Sequence, residues 1–313
     1  MSREVTATLN QQLTTYAQGH MNDLRKSMEL AERLAPTVAV GGSTGQYKKF
    51  DDANSFQTYT TARPMGGEAK RIVFEATDAF YNCKPQALEV TVDKEERNQA
   101  GTDNSIAQQL LDEGKIRALL NVTALSHVRN VCDIVLAALA AEAAPIGVWS
   151  NPDIDPIDQL DKIIDDLATA CGSTEGIKVT MSLTAWRTLR NHGKTKARAV
   201  GVQVGGITLE QLQSILAIPV DVAAYAITYN AAALGQAKNK ARLLAGQVLV
   251  TYSTPAPTQY DPSAFKNFTV GPGGVQSVRS WMAPSGFYEA HVIDWSEHIV
   301  QTSTVGAKKI ELS

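Results

Sequence analysis

Residues 102–144 read TDNSIAQQLLDEGKIRALLNVTALSHVRNVCDIVLAALAAEAA, and their spacing predicts one long amphipathic helix. Ile106, Leu110, Leu119, Val122, Leu125, Val128, Cys132, Val135 and Leu139 recur at intervals of three and four, with one gap near Gly114 and Lys115. That period puts apolar side chains on one face of a helix. Thr102 or Asp103 can cap the start, and Pro145 lies just past the end. At 1.5 Å per residue, a helix of roughly 40 residues spans about 60 Å. Few compact enzymes of this length need such a rod. The plainer reading is a core helix kinked at Gly114, so the flanking sequence must decide.

The chain has 313 residues, enough to bury a core and to hold two domains. Hydrophobic residues make up 44% and charged residues 19%, the balance of a folded globular protein. The 29 basic and 32 acidic residues leave a formal net charge of -3, so no strong basic field advertises nucleic-acid binding. Cys83, Cys132 and Cys171 are far apart, odd in number and without a CxxC pair. That argues against a disulfide framework or zinc site and for three reduced thiols made in a cytoplasm. The N-terminal residues lack the apolar core of a signal peptide, and no run approaches 18 apolar residues. Neither secretion through a signal peptide nor a membrane span is expected, and there is no internal repeat.

Residues 1–35 are polar and helix-permissive, with only Met21, Leu24, Met28 and Leu34 as a thin apolar stripe. Such a segment builds no core alone and is expected to be an arm lying on something else. Val38–Val40 reads as a short strand, followed by Gly41-Gly42-Ser43-Thr44-Gly45 and a polar stretch to Thr61. Arg63-Pro64-Met65-Gly66-Gly67 is a turn signal, and Arg71–Ala76 has strand character around Ile72 and Phe74. A long excursion without a core of its own is usually functional. Phe80–Val92 predicts a strand, with Leu88, Val90 and Val92 alternating. Asp93-Lys94-Glu95-Glu96-Arg97 reads as a charged turn into the long helix.

Beyond Pro145 the pattern changes. Asp155-Pro156-Ile157-Asp158 combines a cap, a proline at the first helical position and an acid at the third. Ile157, Leu160, Ile164, Leu167 and Cys171 form the stripe, and Gly172 stops it. Ile177, Val179 and Met181 alternate as a strand; Ser182 or Thr184 caps a short helix with Trp186 and Leu189. Thr208 with Gln211 is a second capping box, leading into Leu209, Leu212 and Leu216. Pro219–Val222 and Gln247–Tyr252 complete a compact α/β unit of about 120 residues. Phe287–Trp295 and Val305–Leu312 are strand-like again.

Candidate chemistry is sparse. Gly41-Gly42-Ser43-Thr44-Gly45 has the letters of a nucleophile elbow, but the elbow needs a helix after the serine, and Gln46–Phe50 alternates like a strand. Gly193-Lys194-Thr195 matches the end of a phosphate loop, yet its first glycine would fall at Thr188. Asp153, Asp155 and Asp158 lack the glycine and distal glutamate of a calcium loop and suit a helix start. His20, His127, His192, His291 and His298 are scattered without HExxH; His127 reads as a satisfied packing residue in the long helix. Tyr225, Tyr229, Trp281 and Trp295 read as core or interface aromatics rather than a stacking platform. No catalytic residue, cofactor-binding residue or metal ligand is assigned, and no enzyme is expected.

Pro156-Ile157-Asp158 through Cys171, then Gly176-Ile177-Lys178-Val179-Thr180-Met181-Ser182 and Ala185-Trp186-Arg187-Thr188-Leu189, follow Arg63–Gly67, Tyr81-Asn82-Cys83, Leu88-Glu89-Val90 and Glu95-Glu96-Arg97-Asn98. In that order they resemble the major capsid proteins of tailed bacteriophages, the Hong Kong-97 type fold, over nearly the whole chain. The resemblance implies an α+β protein with an N-terminal arm at 1–35 and an extended loop (the E-loop) within 36–78. It implies a peripheral domain at 79–147 around the spine helix, an axial domain at 148–269, and peripheral return strands at 270–313. Arm and loop would bury surface only on neighbouring subunits. It further implies homo-oligomerisation into hexamers and pentamers of an icosahedral head enclosing double-stranded DNA, in a virion built from protein made in the bacterial host cytoplasm. The expected partners are portal and decoration proteins, non-specific contact with packaged DNA, and a separate scaffold, because no long scaffolding segment precedes the arm. Some members crosslink a loop lysine to an asparagine. Lys48, Lys49 and Lys70 lie in that region, but no motif identifies an acceptor, and the chemistry is not assigned. An encapsulin-like cargo shell of the same fold is the alternative function, and a hydrolase using Ser43 a more distant one.

Overall fold

In the computed structural model the described residues are 7–50, 61–69, 76–101, 105–140, 149–198, 206–233, 235–271 and 277–312. In chain order they form β1 (Thr8–Leu9), α1 (Gln11–Asp23), α2 (Arg25–Leu34), β2 (Thr37–Val40), β3 (Thr44–Lys49), β4 (Thr77–Asn82), β5 (Lys84–Asp93), α3 (Lys94–Gly101) and α4 (Ser105–Ala138). There follow α5 (Pro156–Cys171), β6 (Ile177–Ser182), α6 (Leu183–Asn191), α7 (Gly193–Arg198), α8 (Leu209–Ile215), β7 (Asp221–Tyr225), β8 (Thr228–Asn230), β9 (Lys240–Arg242) and β10 (Gln247–Tyr252). The last strands are β11 (Phe265–Val270), β12 (Ser277–Met282), β13 (Tyr288–Gln301) and β14 (Ala307–Glu311). The class is α+β. Two compact units emerge, one from residues 1–45, 81–131 and 267–300, the other from 46–80, 132–266 and 301–313.

The first unit is organised on β13. Its sheet runs β1-β12-β13-β11-β2, and β5 also pairs with β13. That last ladder is antiparallel from Tyr288↔Asp93 to Glu297↔Lys84, whereas β11 and β2 are parallel. Val278 and Ile293 on this sheet are buried against Ile116, Leu119 and Leu120 of α4, with Leu88, Val90 and Trp295 packed at the edge. The charged stretch at 93–97 opens a helix, not a turn. The Glu95 N–H donates to Asp93 Oδ1 (2.8 Å), and the Asp93 N–H donates to Glu96 Oε2 (3.1 Å). These reciprocal bonds satisfy backbone donors that a helix start leaves open.

Three expectations change here. Residues 7–35 are not an arm without an intrachain core. Leu13 and Ala17 of α1 join the same cluster as Leu119, Leu120, Val278 and Ile293, Leu30 and Leu34 of α2 are buried, and β1 pairs with β12. Leu13, Ala17, Leu30 and Ala31, which the sequence reading left out of the stripe, are buried together with Leu34 from it, while Met21 and Leu24 of the stripe pack at the margin of the cluster. The long helix spans 34 residues, about 51 Å, and runs unbroken through Gly114; its expected cap at Thr102 or Asp103 and residues 141–144 lie outside the described residues. Its buried face is Ile116, Leu120, Ala124, Val128, Val131 and Val135, while Ile106 is 69% and Leu110 63% exposed.

The second unit holds a sheet in the order β14-β10-β6-β7. β10 is antiparallel to β6 and β14, and β6 is parallel to β7. The local signals read from sequence hold. Asp155 caps α5, with Gly172 left-handed at φ 66° beyond its end. Ser182 accepts from the Ala185 N–H, and Thr208 and Gln211 form the capping box of α8. The α5 stripe, Trp186, Leu189 and Leu212 share one core with Val179, Met181, Val248 and Val250. The return-strand grouping 270–313 divides: β14 pairs with β10 in this sheet, not with the sheet of β5 and β13. Lys309 of β14 donates to the Leu136 carbonyl (3.3 Å), satisfying an acceptor that the end of α4 would leave open. Likewise Asn267–Val270 at the end of β11 pair with β2 in the first unit's sheet.

β3 pairs with β4. Between them, the Gly67 N–H donates to the Pro64 carbonyl (3.0 Å) in the expected turn. The loop tip at 51–60, Lys70 and residues 71–75 of the expected strand lie outside the described residues.

Two stability experiments follow from this packing. A Cβ at Gly114 meets nothing within 4 Å, so Gly114→Ala is expected to raise stability by about 0.5–1 kcal/mol in urea unfolding. Leu13→Ala, which opens a cavity under α1, is expected to cost about 2–5 kcal/mol, and deleting residues 1–30 to abolish the first unit's cooperative unfolding in calorimetry.

Candidate functional site

The residues singled out in the sequence fall apart in space. Ser43 is followed by β3 rather than a helix, and its carbonyl accepts from the Cys83 N–H (2.7 Å). The elbow geometry is therefore missing. Gly193 opens the short α7, and the Lys194 ammonium is held on the Asp153 carbonyl. Asp155 accepts from the Ile157 and Asp158 amides (3.1 and 3.4 Å) and pairs with Arg198 (2.8 Å), as a helix cap does. Among the described residues no group of three His, Cys, Asp or Glu could hold a metal ion, and no helix is long and apolar enough to cross a membrane. All three cysteines are free and buried; burial, with Asp133 adding to it, pushes the Cys132 thiol up to about 12. Tyr225, Tyr229, Trp281 and Trp295 are half-buried. Lys48 pairs with Asp78 (2.6 Å).

What the fold does assemble is a buried carboxylate. Glu297 of β13 is 5% exposed and is met from three other elements. His127 Nδ1 of α4 lies 2.8 Å from Oε2. Gln86 of β5 donates to Oε1 (3.2 Å), and Asn267 of β11 donates to Oε2 (3.5 Å). Burial alone would push the Glu297 carboxyl up. The His127 hydrogen bond and charge, with help from Trp295 and Asn267, outweigh that and hold it below the usual glutamate range. The Cys83 thiol is pushed up by its own burial first and by the Glu297 charge second.

A second cluster joins α3, α4, β12 and β13. Arg97 donates to both oxygens of Asp112 (2.8 and 3.1 Å) and to Glu289 (2.7 Å). The Ser280 hydroxyl lies 2.8 Å from His291 Nδ1, and His291 Nε2 lies 3.5 Å from Asp112. Serine, histidine and aspartate thus stand in line, but with the ring nitrogens exchanged relative to a hydrolase triad and without a hydrogen bond from Nε2. Ser280 is 5% exposed and His291 fully buried, so no substrate carbonyl reaches the hydroxyl, and Asp112 is committed to Arg97. The cluster is a clamp between helices and sheet. Sequence reasoning missed both clusters, although β13 carried a signal. Glu289, His291, Ile293, Trp295, Glu297 and Ile299 share one strand face by alternation, so charged residues stand in an apolar row.

No family model matches the sequence, and no curated protein matches it. Solved structures do match in fold. A phage-related protein from Bordetella bronchiseptica superposes with a TM-score of 0.73 at 20% identity, covering 98% of each chain. The capsid of cyanophage P-SCSP1u matches with a TM-score of 0.53 at 13% identity over 90% of this chain and 86% of its own. The SrpI encapsulin of Synechococcus elongatus matches at 0.50 and 9% identity over 91% and 87%. The chain therefore has the phage capsid fold, the Hong Kong-97 type, across nearly its full length.

Removing one partner of a buried pair strands the other charge. His127→Leu is expected to destabilise the first unit by about 3–5 kcal/mol. Adding Glu297→Gln to that variant should recover over half of the loss, because the charge goes while an acceptor for Gln86 and Asn267 remains. Since the Glu297 carboxyl is depressed on folding, its contribution is complete above the ordinary glutamate value of about 4.3 and is lost as pH falls through the folded value. The urea midpoints of wild type and Glu297→Gln should therefore differ at neutral pH and converge on acidification.

Proposed function

We propose that this chain is a major capsid protein, a structural subunit that self-assembles into the hexamers and pentamers of an icosahedral phage head around double-stranded DNA. The observation that carries this reading is the match of fold over 98% of both chains to a phage-related protein, joined by a cyanophage capsid. The exposed apolar residues agree with it. Ile106, Leu110 and Val122 on α4, and Met282 and Phe287 at the β12–β13 turn, stand in solvent in the single chain. Ile106 and Leu110 stand one turn apart on α4, and in a shell such neighbouring apolar side chains would be covered by a second copy. Both buried polar clusters serve packing rather than chemistry.

In this reading the first unit is the peripheral domain with its spine helix α4, and the second unit contains the axial domain. The β3–β4 ribbon is the base of the E-loop. A separate scaffold, a portal and a decoration protein are the expected partners, with non-specific contact to packaged DNA. The site of synthesis is the bacterial host cytoplasm, and the destination is the virion. The similarity to an encapsulin supports a second reading, a cargo shell of the same fold.

Negative-stain microscopy of the purified chain, alone and with a crowding agent, tests the proposal. Closed shells or ring-shaped capsomers are expected. Monodisperse monomers under every condition would refute both shell readings. Nuclease-protected DNA in particles from infected or induced cells marks a phage head; co-purifying protein cargo without DNA marks the alternative.

A further inference from the structure

A cleft of about 490 Å³ opens in the second unit, lined among others by Trp149, Thr184, Arg187, Thr188, Asn191 and His192. Four of these residues stand at i, i+3, i+4 and i+7 on α6, so one helix face presents two hydroxyls, a guanidinium and an amide. The opposite face, Ala185, Trp186 and Leu189, is buried in the core and fixes the orientation of the polar one. Arg242 of β9 donates to Thr184 Oγ1 (3.3 Å), bringing a second guanidinium to the rim. No carboxylate occurs among the described lining residues.

His192 supplies an independent observation. It is 7% exposed, and its Nε2 lies 3.1 Å from the Asn151 carbonyl oxygen. A carbonyl only accepts, so Nε2 carries the proton. The other ring nitrogen, Nδ1, is buried and has no hydrogen-bond partner. Leaving such a group unpaired is costly; His192 lines the cleft, so a small shift of its ring would bring Nδ1 to a polar ligand there.

We infer that this cleft is a binding site for a phosphoryl oxyanion. Arg187 supplies charge-assisted donors, Thr184 and Asn191 supply neutral ones, the Thr188 hydroxyl being spent on the Thr184 carbonyl (3.1 Å), and His192 Nδ1 accepts from a P–OH or, when protonated, donates to an unprotonated oxygen. The phosphoryl group can belong to free phosphate or a phosphomonoester, or to a nucleic-acid backbone. The chemistry of recognition is shared, except that a backbone diester offers no P–OH to Nδ1.

The test uses the full chain at constant ionic strength, with sodium chloride as the control salt. Isothermal titration with inorganic phosphate should show saturable binding that chloride does not reproduce. Arg187→Ala, a change on the exposed helix face, should weaken it about tenfold or more, the loss expected for a charge-assisted hydrogen bond. Asn191→Ala should weaken it less, and both variants should keep the wild-type melting curve without ligand. A short DNA duplex that displaces phosphate from wild type supports the site with a backbone as the source; phosphate binding without displacement supports it with a small phosphate as the source. Absence of saturable phosphate binding, or binding unchanged by Arg187→Ala, overturns the inference and leaves the shell reading untouched.

Discussion

The first unit depends on a charge kept inside it. A buried carboxylate is tolerated only when opposite charge and hydrogen bonds replace the water it loses, and Glu297 finds them on α4, β5 and β11. The pairing therefore sets the register of a long helix against three strands at once. Apolar packing alone is less selective: Ile116, Leu119 and Leu120 would tolerate a small slide of α4 along the sheet. A 2.8 Å contact between His127 and Glu297 would not. The Arg97–Asp112–Glu289 cluster adds a second fixed point between α3, α4 and β13.

The second unit is held by other means. Its helices are capped by side chains adjacent in sequence, Asp155, Ser182 and Thr208, and its apolar core is continuous. One buried charge recurs, Lys266, whose ammonium is enclosed at 0% exposure and bonded to the Asp261 carbonyl (2.6 Å) and carboxylate (3.0 Å). Asp261 in turn accepts from Thr254 Oγ1 (2.8 Å) and the Ser263 N–H (3.1 Å), so a single carboxylate orders the loop between β10 and β11. Burial lowers the Lys266 ammonium's affinity for its proton, with the Asp261 charge opposing. Against burial, which alone would raise it, the Ser263, Thr258 and Lys266 bonds hold the Asp261 carboxyl low.

The proposed shell subunit would need rigid units and surfaces that wait for neighbours, and the chain has features that suit both. The polar clusters face inward and stiffen, while apolar side chains such as Phe287 (68% exposed) remain uncovered in the isolated molecule. In the proposed shell, a neighbouring copy would cover them.

The sequence alone determined the features written in local code. α5 with its cap, proline and terminal glycine, β6, β10 and the box at Thr208 all depend on residues within a turn or two of one another, and each stands where periodicity and capping place it. The existence of the long helix was equally legible, because a period of three and four persists over many turns. Its buried face was not. An apolar residue is free to face either the core or a future neighbour, and only the packed sheet shows that Ile116 and Val131 go in while Ile106 and Leu110 stay out. The same holds for α1, whose few apolar residues look too sparse for a core until Val278 and Ile293 are brought beneath them. It holds also for β14, which could pair with either sheet by its alternation. The polar clusters lay furthest from view: His127 and Glu297 are 170 positions apart in sequence, and no local pattern ties a helix residue to the one strand carboxylate that the tertiary fold sets opposite it.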